Sequence, residues 1–273
     1  MKPRFALRTL AAVGLALGLA HGAAASTLYG STFSASSLFS VDQSTGALTS
    51  IGAMGAVIGD MTSNTSAGIV WGIGLSGEFA NQLYTVNTAT GAAGSPLAIT
   101  GVQGQITSIA YDGVTGTMFG NTTAGFGGAD ALYSIDLSTG VATQIGAIGI
   151  SNVYALGFAG GALYGVSDVS KNLVSISTAT GVGSNIGATG LGFVFDIAAR
   201  PEDGVMFASD SGNNAMYTVD LATGATTLVG AFGSSQNIAG LAFVGEVPEP
   251  STYVLMIAGL LGLGWIARRR TTG

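Results

Sequence analysis

One nine-residue unit occurs five times along this chain, and it limits the possible folds more than any other feature. The copies are Leu38–Gly46, Leu83–Gly91, Leu132–Gly140, Leu173–Gly181 and Met216–Gly224. Each pairs an apolar, alternating stretch with a polar turn, as in Leu132-Tyr133-Ser134-Ile135-Asp136-Leu137-Ser138-Thr139-Gly140. The closing glycines stand 45, 49, 41 and 43 residues apart. Each unit then runs into a second short strand ending near Ile-Gly or Val-Gly, as at Gln144-Ile145-Gly146. Two further apolar runs precede most units, for example Leu156-Gly157-Phe158 and Leu163-Tyr164-Gly165. Short runs rich in aromatic and β-branched residues, bounded by Gly, Asp and Asn, read as strands. Four strands in about 45 residues make one blade of a β-propeller.

The ends of the repeat region predict how the ring closes. The first copy has no opening strand and begins at Leu28-Tyr29-Gly30, the second strand of the pattern. The missing strand comes after the last copy, as Ile238-Ala239-Gly240-Leu241-Ala242-Phe243-Val244. Pairing the two completes a fifth blade and hides two open edges. The expected fold is therefore all-β: a five-bladed β-propeller of four-stranded blades, with one C-terminal transmembrane helix in addition. An open β-solenoid competes but leaves the displaced strand unexplained.

Composition narrows the chemistry. The chain of 273 residues has no Cys, and its one His, His21, lies near the N-terminus. Disulfides and thiolate nucleophiles are excluded. A His-based hydrolase triad or zinc site has no residue to build on once the leader is removed. Six of the eight basic residues sit at the ends, namely Lys2, Arg4, Arg8, Arg268, Arg269 and Arg270, leaving Lys171 and Arg200 between them. The acidic middle repels nucleic acid, whose phosphates need Lys and Arg. Cations and neutral glycans suit it better as partners.

Residues 1–25 read as a secretory signal peptide, cleaved between Ala25 and Ser26 by the secretion machinery. Lys2, Arg4 and Arg8 form a positive start, Leu10–Ala20 an apolar run, and Ala23-Ala24-Ala25 a small-residue cleavage site. Residues 26–246 form the repeat domain. Residues 247–273 carry Val247-Pro248-Glu249-Pro250-Ser251, an apolar run over 252–267 and Arg268-Arg269-Arg270. The two prolines stop a strand, and the arginines hold the end in the cytoplasm. This tail resembles the PEP-CTERM sorting signal of Gram-negative bacteria, also catalogued as an ice-binding-protein C-terminus, a label that says nothing about ice here. The resemblance implies recognition by an exosortase, at least transient residence in the inner membrane, a final place in the cell envelope, surface or extracellular matrix, and a producer of exopolysaccharide.

Candidate chemistry in the middle is sparse. The Asp-x-x-Thr-Gly element reads as a hairpin turn, since Asn87 and Ser177 replace Asp in two copies and make the same kind of bond. Gly72–Gly77 matches G-x-G-x-x-G, but no helix follows to hold a pyrophosphate. Few acids and a single Trp outside the tail, Trp71, give no clear aromatic sugar platform. Asp60, Asp168, Asp196 and Asp210 are expected to ring one propeller face and bind Ca²⁺, helped by Asn172, Asn213 and Asn214. No other cofactor is expected. The sequence favours a non-catalytic surface or matrix protein that binds or organises exopolysaccharide. The alternative is a secreted carbohydrate-active enzyme using paired carboxylates.

Overall fold

The computed structural model describes residues 25–33, 36–233, 237–245 and 259–260. Its strands run β1 (Thr27–Thr32), β2 (Ser37–Val41), β3 (Leu48–Ala53), β4 (Ile58–Asn64), β5 (Ile69–Gly74), β6 (Gln82–Val86), β7 (Leu97–Ala98), β8 (Ile106–Asp112), β9 (Thr117–Thr122) and β10 (Ala131–Ile135). They continue as β11 (Ala142–Ala147), β12 (Val153–Ala159), β13 (Ala162–Ser167), β14 (Asn172–Ile176), β15 (Gly183–Ala188), β16 (Val194–Ala199), β17 (Met206–Asp210), β18 (Ala215–Val219), β19 (Thr226–Ala231) and β20 (Ile238–Val244). They form five antiparallel four-stranded sheets. Blade one has the order β20-β1-β2-β3, so the C-terminal strand supplies the innermost position that the N-terminus lacks. Leu28 pairs with Phe243 and Tyr29 with Ala242. The other blades are β4–β7, β8–β11, β12–β15 and β16–β19.

Each pair of neighbouring blades buries its own apolar cluster. Leu38, Met54, Ile58 and Val70 lie between blades one and two. Leu28, Phe207, Met216, Phe232 and Phe243 lie between blades five and one. The closing strand therefore contributes Ile238, Leu241 and Phe243 to the seam that seals the ring.

The repeated glycines set the distance between blades. The Asp-x-x-Thr-Gly element is a turn, as expected: Asp42 Oδ1 accepts the Ser44 and Thr45 N–H groups, and Gly46 has φ of 73°. Those bonds and the Ser44 hydroxyl hold the Asp42 carboxyl down at about 2. The glycine of the following Ile-Gly pair faces the next blade's turn. A Cβ on Gly52 would lie 2.2 Å from the Thr90 carbonyl oxygen, and one on Gly187 would lie 2.0 Å from that of Thr223. Turn and outer strand are thus complementary parts of one blade-to-blade contact.

Among the described residues no helix is long and apolar enough to cross a membrane. Of the transmembrane helix expected over 252–267 only residues 259–260 are described, and they are helical; nearly all of the leader lies outside the described residues.

Candidate functional site

The inner strands of the blades, β20, β4, β8, β12 and β16, touch one another in a ring around the axis. Each presents one unpaired backbone edge to that axis, and such edges need partners when buried. All five carry a register shift at the same place: between Ile58 and Asp60, Ile106 and Ser108, Val153 and Ala155, Val194 and Asp196, and Ile238 and Gly240. A bulge re-aims the side chains around it. The residues after the shift are Asp60, Ser108, Ala155, Asp196 and Gly240.

Two of these, Asp60 and Asp196, are fully buried and bond the free edges. Asp196 Oδ2 accepts the N–H of Met61 at 3.1 Å and of Leu241 at 2.6 Å, and Oδ1 accepts that of Ile197 at 2.7 Å. Asp60 Oδ1 accepts the Ile109 N–H at 3.0 Å. Inner-strand N–H groups from four blades thus end on two carboxyls. Gly240 makes room for them, since a Cβ there would lie 2.7 Å from Met61 Cγ and 2.8 Å from Met61 N.

Burial raises both carboxyls well above the usual carboxylate range, and the Asp196 charge raises Asp60 further. Three N–H donors favour charge on Asp196, whereas Asp60 has one and also faces Asp196. Asp60 is therefore the carboxyl of the pair that favours the proton, and Asp196 the one that favours the charge. N–H groups directed at Asp196 repel a cation, so its surroundings suit a proton.

The four expected carboxylates do not ring one face. Asp60 and Asp196 meet inside the axis. Asp168 pairs with Lys171 at a partly exposed turn. Asp210 accepts the Phe193 and Gly212 N–H groups and the Asn213 amide. Among the described residues no three His, Cys, Asp or Glu side chains gather where they could hold a metal ion. The difference is geometric: Asp60 and Asp196 sit on innermost strands and point across the axis, whereas Asp210 ends a second strand and Asp168 follows one, both further out.

The axis opens differently at its two ends. On the side of the β4–β5 and β16–β17 turns lies a funnel of about 460 Å³, lined by Thr62, Asn64, Tyr111, Asp112, Phe158 and Arg200 among others. Tyr111 packs against Trp71 at 4.9 Å between centroids. On the opposite side, four rings make a continuous row: Phe126–Tyr154 at 5.6 Å, Tyr154–Phe193 at 4.9 Å and Phe193–Phe195 at 4.8 Å. The rings meet edge-on, at interplanar angles of 60°, 62° and 80°. Tyr154 and Phe195 occupy the bulge position itself, one residue before Ala155 and Asp196, so aligning the inner strands would have found them.

Residues 246–270 match the PEP-CTERM protein-sorting motif. The chain is therefore a five-bladed β-propeller followed by this sorting signal, which implies exosortase-sorted export to the envelope of a Gram-negative bacterium. No curated protein matches the chain. Among solved structures, a chain of the nidogen/laminin complex is similar at 11% identity and a TM-score of 0.57, over 80% of this chain and 98% of that one. That likeness shows the fold alone. A protein of unknown function from Bacteroides thetaiotaomicron is 16% identical with a TM-score of 0.47, over 75% of this chain and 50% of that one. Kuenenia stuttgartiensis hydrazine synthase is 10% identical with a TM-score of 0.42, over 66% of this chain and 49% of that one.

Proposed function

We propose that this is a non-catalytic surface or matrix protein, delivered by an exosortase, whose propeller binds or organises exopolysaccharide. The sorting motif at 246–270 is the observation that carries this reading, because it marks a closed, acidic β-domain for export to the cell envelope. The placement of the carboxyl pair supports a non-catalytic role. A glycosidase needs two carboxyls open to substrate, whereas Asp60 and Asp196 are fully buried and bonded to backbone. Replacing Pro248-Glu249-Pro250 by alanines in the producing bacterium tests delivery. The variant is expected to stay uncleaved in the inner membrane on fractionation; unchanged surface delivery would overturn exosortase sorting.

The proposed cleavage after Ala25 has a structural counterpart. Ser26 is buried, its N–H and hydroxyl donate to the Glu202 carboxylate, and its carbonyl accepts the Gln43 amide at 2.6 Å. Arg200 holds Gln43 in turn. Burial works to raise the Glu202 carboxyl, but the Ser26 bonds and Arg200 bring it below its ordinary value. Cleavage would turn the Ser26 N–H into an ammonium already seated on a carboxylate, a stronger, charge-assisted bond. The terminal amine of the exported protein is expected to titrate above the usual value of about 8 and to return to it in Glu202→Gln. Identical amine-labelling profiles in the two proteins would contradict the pairing.

A further inference from the structure

We infer that the row Phe126–Tyr154–Phe193–Phe195 and the notch beside Gly125 form a groove for a neutral polysaccharide chain. This rests on the polysaccharide-binding reading above and gives it a place. The row crosses three blades, from the turn after β9 through the start of β12 to the start of β16. Phe126 is 39% exposed and the other three rings are half-buried, so each keeps part of its surface in solvent. Aromatic faces accept the C–H face of a sugar ring, as they accept other large amphipathic partners.

The notch is a second, independent observation. Thr123 Oγ1 and Asn152 Oδ1 are buried and find no hydrogen-bond partner among the described residues. Thr123 is fully buried, and buried polar atoms of this kind are normally paired. Both border one spot: a Cβ on the exposed Gly125 would lie 3.7 Å from Asn152 Oδ1 and 4.0 Å from Thr123 Oγ1. The absent side chain leaves this spot unfilled; Phe126 follows Gly125 directly and Tyr154 stands two residues after Asn152. Asn152 Oδ1 accepts a hydrogen bond and the Thr123 hydroxyl both donates and accepts, so the complementary ligand offers groups that do both. A sugar does so with its hydroxyls while stacking on the rings.

Charge excludes the other occupants. The carboxylates nearby are Asp130, which accepts the Asn152 N–H, together with Asp168 and Asp210. Lys171, the one cation beside them among the described residues, is paired with Asp168. Tyr154 feels this field: burial raises its hydroxyl first, and the Asp168 charge adds to it. Such a rim repels uronate polymers and anionic lipid surfaces alike.

The test is native affinity electrophoresis of the full chain in gels holding dextran, laminarin or mannan, with polygalacturonate and phosphatidylglycerol vesicles as anionic probes. At least one neutral polymer is expected to retard the parent protein. The double variant Phe126→Ala, Phe193→Ala should weaken that retardation by about tenfold. Gly125→Val should do the same with every ring in place, because it fills the notch, and unchanged melting of either variant assigns the loss to binding. Undiminished retardation of both variants overturns the groove and leaves polysaccharide binding standing elsewhere on the propeller. No retardation of the parent by any neutral polymer, or a preference for the anionic probes, overturns both.

Discussion

Asp196→Ala is expected to cost about 3–5 kcal/mol of stability, while Asp60→Asn stabilises the fold at neutral pH. Removing the Asp196 carboxylate strands the N–H groups of Met61, Ile197 and Leu241 and opens a void on the axis. Loss of one partner from a buried charged network carries a penalty of that order. Asparagine at position 60 instead imitates the protonated acid: its oxygen still accepts from Ile109, and its NH₂ can donate to Asp196 without taking up a proton.

The pH dependence follows from the same pair. The folded chain binds the Asp60 proton more tightly than the unfolded chain does, because burial and the Asp196 charge raise that carboxyl. Stability therefore falls as pH rises from about 4, the unfolded value, up to the raised folded value. Asp112, Asp136, Asp203 and Asp220 are lowered by hydrogen bonds in their turns, so their contribution is present above about 4 and lost on acidification. Stability should peak on the acid side of neutrality. Urea midpoints across pH check this. A parent profile still rising between pH 5 and 8, or an Asp60→Asn profile that falls as the parent's does, would contradict a proton held on Asp60.

A chain ending at Gly233 is expected to lose the folded state altogether. It lacks β20, which pairs with β1 along Thr27–Thr32 and supplies Ile238, Leu241 and Phe243 to the seam between blades five and one. Leu241 also donates one of the bonds to Asp196. Each fully buried side chain of that size contributes about 1.5–3 kcal/mol, and the total stability of a domain is about 5–15 kcal/mol. Circular dichroism and size exclusion should show an aggregated or unfolded chain. Cooperative melting at the parent's temperature would mean that the ring does not depend on its closing strand.

Blade number, strand order and closure were legible in the sequence because each blade repeats its own local chemistry. Asp42, Asp136 and Asp220 open turns that are complete within a few residues. The displaced Ile238–Val244 strand stood out because the period required it. The centre was less legible, because its contacts join residues far apart in the chain. Asp196 meets Met61 across 135 positions, and nothing local separates it from a partly exposed turn acid such as Asp168. The aromatic row escaped notice for a related reason. Phe126 lies in a loop, while Tyr154 and Phe195 sit on bulged positions that an alternating strand pattern assigns to neither face.

Asp60 and Asp196 are sealed under backbone at the axis, and binding and chemistry by the other carboxyls can be separated in one sample. The full chain is incubated with dextran, laminarin or mannan, and soluble reducing ends are measured beside retention of the polymer. A binding propeller retains a neutral polymer and leaves the reducing-end count at its blank value. Reducing ends that accumulate with time and with protein concentration would contradict the account and make the protein a carbohydrate-active enzyme.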